Sequence, residues 1–164
     1  MNARLEDIEA IKQLKARYFR TLDTKQWAAW RAVFTDDAAF DGTRRSFNGP
    51  DEFCALTSAW LQDAITVHHG HMPEIVFTGP DTARGIWAMF DIVQFPAPTP
   101  GSGPYAGNGF IGYGHYEEEY RKISEGWRIS LLRLTRLRVD PLPAGSAFAP
   151  VPEGLLRSGT SPWL

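Results

Sequence analysis

The chain has 164 residues and a mass of 18.4 kDa, with 43% apolar and 22% charged residues, a composition typical of one globular domain rather than of a disordered chain. Its net charge of −2 argues against an electrostatic binder of nucleic acid, which would carry a basic excess. No apolar run approaches the roughly 20 residues of a transmembrane helix, and charges interrupt the N-terminal segment, so we expect neither a membrane span nor a signal peptide. The single cysteine, Cys54, cannot form an internal disulfide, which favours a cytoplasmic location.

Helical spacing dominates the first part of the sequence. Apolar residues three or four apart between Leu5 and Leu22 predict an amphipathic helix, with Lys15 among the charged residues of its outer side. A second, shorter helix is predicted at 27–34, ended by the aspartates at 36–37 and followed by a short strand at 38–41. The Gly-Pro-Asp sequence at 49–51 predicts the start of a third helix.

After residue 63 the apolar pattern alternates with a period of two, which is typical of strands. The predicted strands are 65–70, 74–78, 82–95, 110–123 and 127–139, with a loop rich in glycine and proline at 96–109. Helices followed by antiparallel strands predict an α+β domain over 1–140. The proline-rich tail, 141–164, is expected to pack on this domain or on a neighbouring subunit.

Two polar side chains are predicted at the first helix. Tyr18 lies on its apolar stripe, so its hydroxyl should need a partner in the interior. Asp23 follows the helix directly, where the negative end of the helix dipole disfavours a carboxylate. A core tyrosine and a solvated turn aspartate are the alternatives to a functional role.

Two further charged residues fall on apolar strand faces. Asp91 shares a face with Trp87 and Met89, and Arg136 shares one with Leu132. A buried charge needs a partner, so these two residues could form a structural ion pair. Two other arginines, at 133 and 138, compete for that role.

Three histidines lie within four residues, and alternation puts His68 on the opposite face to His69 and His71. Zinc binding by His69 and His71 with His115 is an alternative, but we predict no metal site, since a single histidine acting as acid or base is favoured. The glutamates at 117–119 are interpreted mainly as a solvated face.

Several segments together resemble the SnoaL-like members of the nuclear transport factor 2-like superfamily. They are 8–23 followed by Trp27, the HHGHMPEI stretch at 68–75, ARGIW at 83–87, the segment 116–120, GWRI at 126–129, and the strand 133–138. Among enzymes of this family the chain is similar to bile acid 7α-dehydratase and, more distantly, to scytalone dehydratase and hexachlorocyclohexane dehydrochlorinase. The resemblance implies a cone-shaped α+β barrel, in which helices pack on a strongly curved, mostly antiparallel sheet around a deep pocket.

The resemblance also implies site residues. Its catalytic tyrosine, aspartate and histidine match Tyr18, Asp23 and His68, and its pocket aspartate and arginine match Asp91 and Arg136. Trp87 and Tyr116 are expected to line the substrate pocket as well. His115 and the loop 96–109 depart from the dehydratase pattern and leave the substrate open.

These observations predict a cofactor-independent, dehydratase-like lyase acting on a small apolar cyclic substrate. His68 would remove a proton next to a carbonyl, Asp23 would orient the imidazole, and Tyr18 would stabilise the developing oxyanion. An isomerase, a cyclase, a dehalogenating lyase and a non-catalytic binding domain are the alternatives on the same scaffold. The resemblance implies a homo-oligomer, with a trimer favoured over a dimer.

Overall fold

Three helices precede most of a five-stranded sheet in this computed structural model, which describes residues 3–41, 46–99, 105, 107–143, 145 and 153–154. The helices are α1 (Ala3–Asp23), α2 (Trp27–Arg31) and α3 (Gly49–Leu61), and the strands are β1 (Phe34–Asp41), β2 (Ile65–Phe77), β3 (Thr82–Thr99), β4 (Gly107–Ile123) and β5 (Gly126–Pro141). The predicted α+β class is confirmed. Most of the tail predicted at 141–164 lies outside the described residues.

The strands form one curved sheet in the order β1-β5-β4-β3-β2. Its pairs are antiparallel except for β1 with β5, which are parallel, and the sheet does not close into a barrel. Because the longest strands are neighbours, their inner faces make one continuous concave wall. The helices cover this wall, and a cavity lies between the two layers.

Helix α1 buries the predicted apolar stripe against the sheet. Ile11, Leu14, Tyr18 and Leu22 are at most 3% exposed. Lys15 is also fully buried, contrary to prediction, because it follows Ile11 by four residues and precedes Tyr18 by three, which is the spacing of the stripe itself. The opposite error is at Leu5, which is 61% exposed in the first turns of the helix.

Other boundaries differ from the prediction in ways that the pairing explains. Helix α2 ends at Arg31, and Asp36 and Asp37 lie inside β1 instead of ending the helix, because the chain pairs with β5 from Phe34 onward. The two short strands predicted at 65–70 and 74–78 are one strand, whose register with β3 shifts between Gly70 and Pro73.

Strand β4 also corrects the interpretation of the acidic run. Alternation separates Glu118 from its neighbours: Glu117 and Glu119 are half exposed on the outer face, whereas Glu118 is 3% exposed on the inner face. The run is therefore a solvated face with one buried exception. None of the described helices is both long enough and apolar enough to cross a membrane.

Candidate functional site

The end of α1 meets the beginning of β2 through one carboxylate. His68 Nδ1 lies 2.7 Å from Asp23 Oδ1, and the backbone N–H of His68 donates to Asp23 Oδ2 at 2.8 Å. The Thr66 hydroxyl donates a third hydrogen bond to Oδ1 at 2.9 Å. Since a carboxylate only accepts, the Nδ1 position of His68 carries a proton, and in the neutral imidazole Nε2 is then the nitrogen with the lone pair.

The second nitrogen of His68 lies on the side of the cavity. Nε2 is 3.9 Å from Asp91 Oδ2, which is beyond hydrogen-bond distance, and both residues line a cavity of about 410 Å³. Burial leaves His68 only 7% exposed. A base with a free lone pair, a fixed tautomer and an apolar cavity beside it is arranged for proton transfer.

Asp91 faces Arg136 across β4. The guanidinium donates two parallel hydrogen bonds, from Nη1 to Oδ1 at 2.9 Å and from Nη2 to Oδ2 at 2.7 Å. Gly112 of β4 lies between them, and a Cβ there would collide with both side chains. Neighbouring Asp91 raises the pKa of Arg136 against the lowering effect of its burial. The two charges cancel, so the pair adds a polar but neutral patch to the wall.

Aromatic side chains form most of the remaining wall. The rings of Tyr18 and Tyr116 meet edge to face with centroids 5.8 Å apart. Burial raises the pKa of both phenols, so they remain hydrogen-bond donors at neutral pH. The apolar lining comes from both layers, with Trp30, Phe53, Trp60, Val93, Phe110, Leu132 and Leu134 among its residues.

A second buried ion pair lies against the rings of the two tyrosines. Lys15 Nζ donates to Glu118 Oε1 at 2.5 Å, and both side chains are completely buried. The same ammonium lies 3.9 Å from the ring centroid of Tyr18 and 3.6 Å from that of Tyr116. The Tyr120 hydroxyl donates to the other oxygen of Glu118. Burial lowers the pKa of Lys15 to about 8, although Glu118 opposes this effect.

Six of the seven residues predicted for the site lie around the cavity. Tyr18, His68, Asp91, Tyr116 and Arg136 line it, and Asp23 holds His68 from behind. Trp87 does not line this cavity: its indole N–H donates to Tyr120 at 2.7 Å, and its ring borders a neighbouring depression that His68 also lines. Its role in substrate binding stays a prediction.

The remaining histidines lie elsewhere. His69 and His71 are exposed, and His115 pairs with Ala88 on the outer face of the sheet, away from His68. Within the described residues no group of three or more His, Cys, Asp or Glu side chains is arranged to hold a metal ion. The prediction of no metal site stays a prediction.

Sequence reasoning missed four residues around the site: Lys15, Glu118, Thr66 and Lys25. The helical spacing of Lys15 and the alternation around Glu118 were available signals, since both residues occupy apolar positions of their patterns. Thr66 and Lys25 carried no signal, because their role depends on how α1 docks on β2. The sequence also contained no indication that Gly112 leaves space for the Asp91–Arg136 pair.

Comparisons with known proteins agree with this architecture. The model of the SnoaL-like domain family matches residues 3–133. The protein named probable cyclase FGR4 of Gibberella zeae is 27% identical over 139 residues, which cover 77% of this chain and 89% of that protein.

Solved structures show the same fold at lower identity. A scytalone dehydratase-like protein from Novosphingobium aromaticivorans superposes with a TM-score of 0.73 at 18% identity, covering 94% of this chain and 97% of that one. A type 3 hexachlorocyclohexane dehydrochlorinase, LinA, from Novosphingobium barchaimii gives a TM-score of 0.72 at 21% identity, covering 90% and 97%. Dehydratase, dehydrochlorinase and cyclase relatives therefore share this scaffold, and the chain belongs to the SnoaL-like domain family of the nuclear transport factor 2-like superfamily.

Proposed function

We propose that this protein is a cofactor-independent lyase of the dehydratase type, with His68 as its base. The observation that carries the proposal is the Asp23–His68 hydrogen bond of 2.7 Å, which fixes the imidazole with its free nitrogen beside an apolar cavity. The proposed substrate is a small cyclic molecule with a carbonyl group and a hydroxyl group β to it. A steroid-, polyketide- or aromatic-type ring agrees with the aromatic lining.

The reaction begins with proton abstraction. His68 Nε2 takes the proton on the carbon next to the carbonyl, and the electron pair moves into an enolate. Asp23 stabilises the imidazolium that results, as a buried carboxylate does for a catalytic histidine. The enolate then re-forms the carbonyl and expels the β-hydroxyl group, which leaves as water with the proton that His68 returns. The products are an unsaturated carbonyl compound and water, and this sequence of steps requires no metal or nucleotide.

Stabilisation of the enolate oxygen is assigned to the tyrosine pair. Both tyrosines line the cavity, and each phenol has one proton that it can donate to the substrate. Hydrogen bonds aimed at developing charge in a cavity that excludes water are the strongest kind of catalytic assistance.

Substrate orientation is assigned to Asp91 and Arg136. Because the two groups neutralise each other, the pair offers no net positive charge to an anionic substrate from this part of the wall. This favours an uncharged ligand, whose polar groups accept from Arg136 or donate to Asp91. A carboxylate would have to break a buried bidentate pair in order to bind.

Variants at two adjacent histidines test this proposal. Substrate candidates are cyclic β-hydroxy ketones and their thioesters, with product formation followed by the absorbance of the new conjugated double bond. His68→Ala should lower kcat by about 10²–10⁴-fold, the usual contribution of a positioned base. The matched control is His69→Ala, since His69 is the next residue but lies exposed on the opposite face. Full activity in His68→Ala would overturn the assignment.

A second pair of variants separates the roles within the site. Asp23→Asn should lower turnover less than His68→Ala, and the double variant should be little worse than His68→Ala alone, because the two residues act as a unit. Tyr18→Phe should lower kcat more than it weakens binding, because its hydrogen bond strengthens in the transition state. Additive effects of Asp23→Asn and His68→Ala would contradict the proposed pair.

A cyclase is the second candidate, favoured by the similarity to the probable cyclase of Gibberella zeae. It would use the same enolate but direct its carbon at a second carbonyl, forming a ring bond instead of expelling water. Mass spectrometry of the product distinguishes the two, because dehydration lowers the substrate mass by one water and cyclisation alone does not. Halide elimination would be recognised in the same spectra by the loss of hydrogen halide. Isomerisation keeps the substrate mass, as cyclisation does, and would be recognised by the nuclear magnetic resonance spectrum of the product. Binding without turnover would indicate a ligand-binding domain.

We also propose that the protein assembles as a homo-oligomer, with a trimer favoured. Support comes from the outer face of the sheet, where the rings of Phe90 and Tyr113 meet with centroids 5.4 Å apart and Leu137 is 77% exposed. Light scattering coupled to gel filtration should give three times the monomer mass, and Phe90→Glu should shift it to the monomer. A wild-type monomer would refute this, and a dimer would refute the trimer.

A further inference from the structure

The turn that ends α1 contains a lysine where a glycine is usual. Gln26 N–H donates to the Thr21 carbonyl at 2.8 Å and Lys25 N–H donates to the Leu22 carbonyl at 3.2 Å, which is the hydrogen-bond pattern of a Schellman motif. Its left-handed position is Lys25, with φ of +60°, the one such non-glycine residue in the described part of the chain. An L-residue is less stable than glycine in this conformation, because its Cβ crowds the following carbonyl oxygen. The side chain of Lys25 should therefore have a role that outweighs this cost.

That side chain is the outer end of a chain of hydrogen bonds that reaches His68. Lys25 Nζ donates to Thr66 Oγ1 at 2.8 Å, and the Thr66 hydroxyl donates to Asp23 Oδ1 at 2.9 Å. The same Oδ1 atom receives His68 Nδ1–H at 2.7 Å. Thr66 is only 5% exposed, so water cannot easily replace either partner.

The direction of this chain depends on the charge of Lys25. A hydroxyl has one proton to donate, and an ammonium can only donate. While Lys25 is protonated, Thr66 must accept from it and give its own proton to Asp23. A neutral amine has a lone pair, so Thr66 can turn and donate to Lys25 instead, which deprives Asp23 of one of its three donors.

We propose that Lys25 is a positioning residue for the Asp23–His68 pair, which directs the Thr66 proton onto Asp23 and so fixes the carboxylate that holds the imidazole. It acts through Thr66 and does not touch the substrate. This inference deepens the proposed function, on which it rests wherever turnover is the readout.

The surroundings of Lys25 determine the pH at which its ammonium loses a proton. Burial lowers the pKa of Lys25 to about 8, while the charge of Asp23 opposes that effect. The groups that face the ammonium are Asp23 from α1, Thr66 from β2 and the ring of Trp27 from α2, with its centroid 5.6 Å away. His68, on β2, is the next titratable group along the chain of hydrogen bonds.

The first test uses no substrate. Nuclear magnetic resonance of the full chain labelled with ¹⁵N-histidine follows the ring signals of His68 between pH 6 and 10. In the wild type these signals should show a step centred near pH 8, when Lys25 loses its proton. Lys25→Arg keeps a permanent donor and should abolish the step, and Lys25→Met should abolish it as well. The signals of His69, on the opposite face, serve as the internal control.

Either of two outcomes would overturn the inference: no step in the wild type, or a step of equal size in Lys25→Met, which would belong to His68 itself. Lys25→Gly is a second variant that lacks the side chain. Glycine adopts the left-handed conformation of this turn without strain, so this variant should fold even if Lys25→Met does not. Thr66→Val should remove the step while leaving Lys25 in place.

The second test measures activity with a substrate found as above. Lys25→Met and Thr66→Val should each lower kcat/KM about tenfold, the loss of one hydrogen bond to a charged group. Lys25→Arg and Thr66→Ser should restore it, and Lys25→Arg should move the alkaline limb of the pH profile upward from about 8. Unchanged activity in Lys25→Met would refute the positioning role. If no substrate is turned over, the lyase proposal alone fails, because the resonance experiment still decides the role of Lys25.

Discussion

Removal of the buried charge at Glu118 should destabilise the protein far more than removal of its neighbour's charge. Lys15 and Glu118 are both completely buried, and breaking such a pair from one side costs about 3–5 kcal/mol. The Glu119 carboxylate pairs with Arg84 at 2.7 Å, but the two side chains are 42% and 65% exposed, so their pair should contribute at most about 1 kcal/mol. Glu118→Gln and Glu119→Gln are therefore matched variants, one residue apart on opposite faces of β4.

The loss of stability in Glu118→Gln has an independent upper limit. The stranded Lys15 can release its proton on folding, and releasing it at pH 7 from an unfolded-state pKa of about 10.5 costs roughly 4.8 kcal/mol. In the wild type the pKa of Lys15 is about 8, so folded Lys15 is half deprotonated at pH 8, and this group raises the free energy of unfolding by roughly 0.4 kcal/mol between pH 7 and 8. In folded Glu118→Gln the amine is neutral while the unfolded chain is charged, so the variant gains about 1.4 kcal/mol over that range and its deficit relative to the wild type should shrink by about 1 kcal/mol.

Urea unfolding followed by tryptophan fluorescence, at pH 7 and pH 8, measures both effects. We expect the free energy of unfolding of Glu118→Gln to be lower than that of Glu119→Gln by about 3–5 kcal/mol at pH 7. For a chain of this length, this is equivalent to a melting temperature roughly 6–20 °C lower. A difference under about 1 kcal/mol would show that the pair behaves like a surface ion pair and would refute the reasoning. A deficit that is independent of pH would refute the proton release.

Three further predictions use other buried groups. Burial raises the pKa of the Cys54 thiol to about 12, so the native protein at pH 8 should react with 5,5′-dithiobis(2-nitrobenzoate) far more slowly than the protein in urea; equal rates would contradict this. Burial also raises the pKa values of Tyr18, Tyr116 and Tyr120, so three of the five tyrosines should ionise only as the protein unfolds in alkali, seen as a delayed absorbance rise at 295 nm. Gly112→Ala should separate Asp91 from Arg136 and lower stability by more than about 2 kcal/mol; a melting temperature equal to that of the wild type would be inconsistent with the close approach.

The helices and long strands could be predicted because local patterns determine them. The apolar stripe of α1 and the Gly-Pro-Asp start of α3 have local physical causes, and the structure follows both. The bounds of α2 and β1 could not be predicted in this way. The aspartates at 36 and 37 have low strand propensity, but pairing with β5 places them in a strand.

The faces of charged residues were predicted less well than those of apolar ones. Lys15 and Glu118 were assigned to solvent because of their residue types, although spacing placed both on the buried side of their elements. Lys15 and Glu118 are 103 residues apart, and a buried charge is stable only with its partner present. Neither residue alone could therefore justify burying the other.

The charged residues of the site are likewise buried in pairs whose members are far apart in the sequence. Asp91 and Arg136 were recognised because each lies on an apolar face, and the structure joins them in a bidentate pair. With Lys15 and Glu118 also paired, the buried charges below and beside the cavity cancel in two sets. His68 then differs from the other polar residues of the wall, because Asp23 occupies one ring nitrogen and leaves the other beside the cavity at 3.9 Å from Asp91. The choice of His68 as the base therefore follows from how the surrounding charges are paired, as well as from the family resemblance.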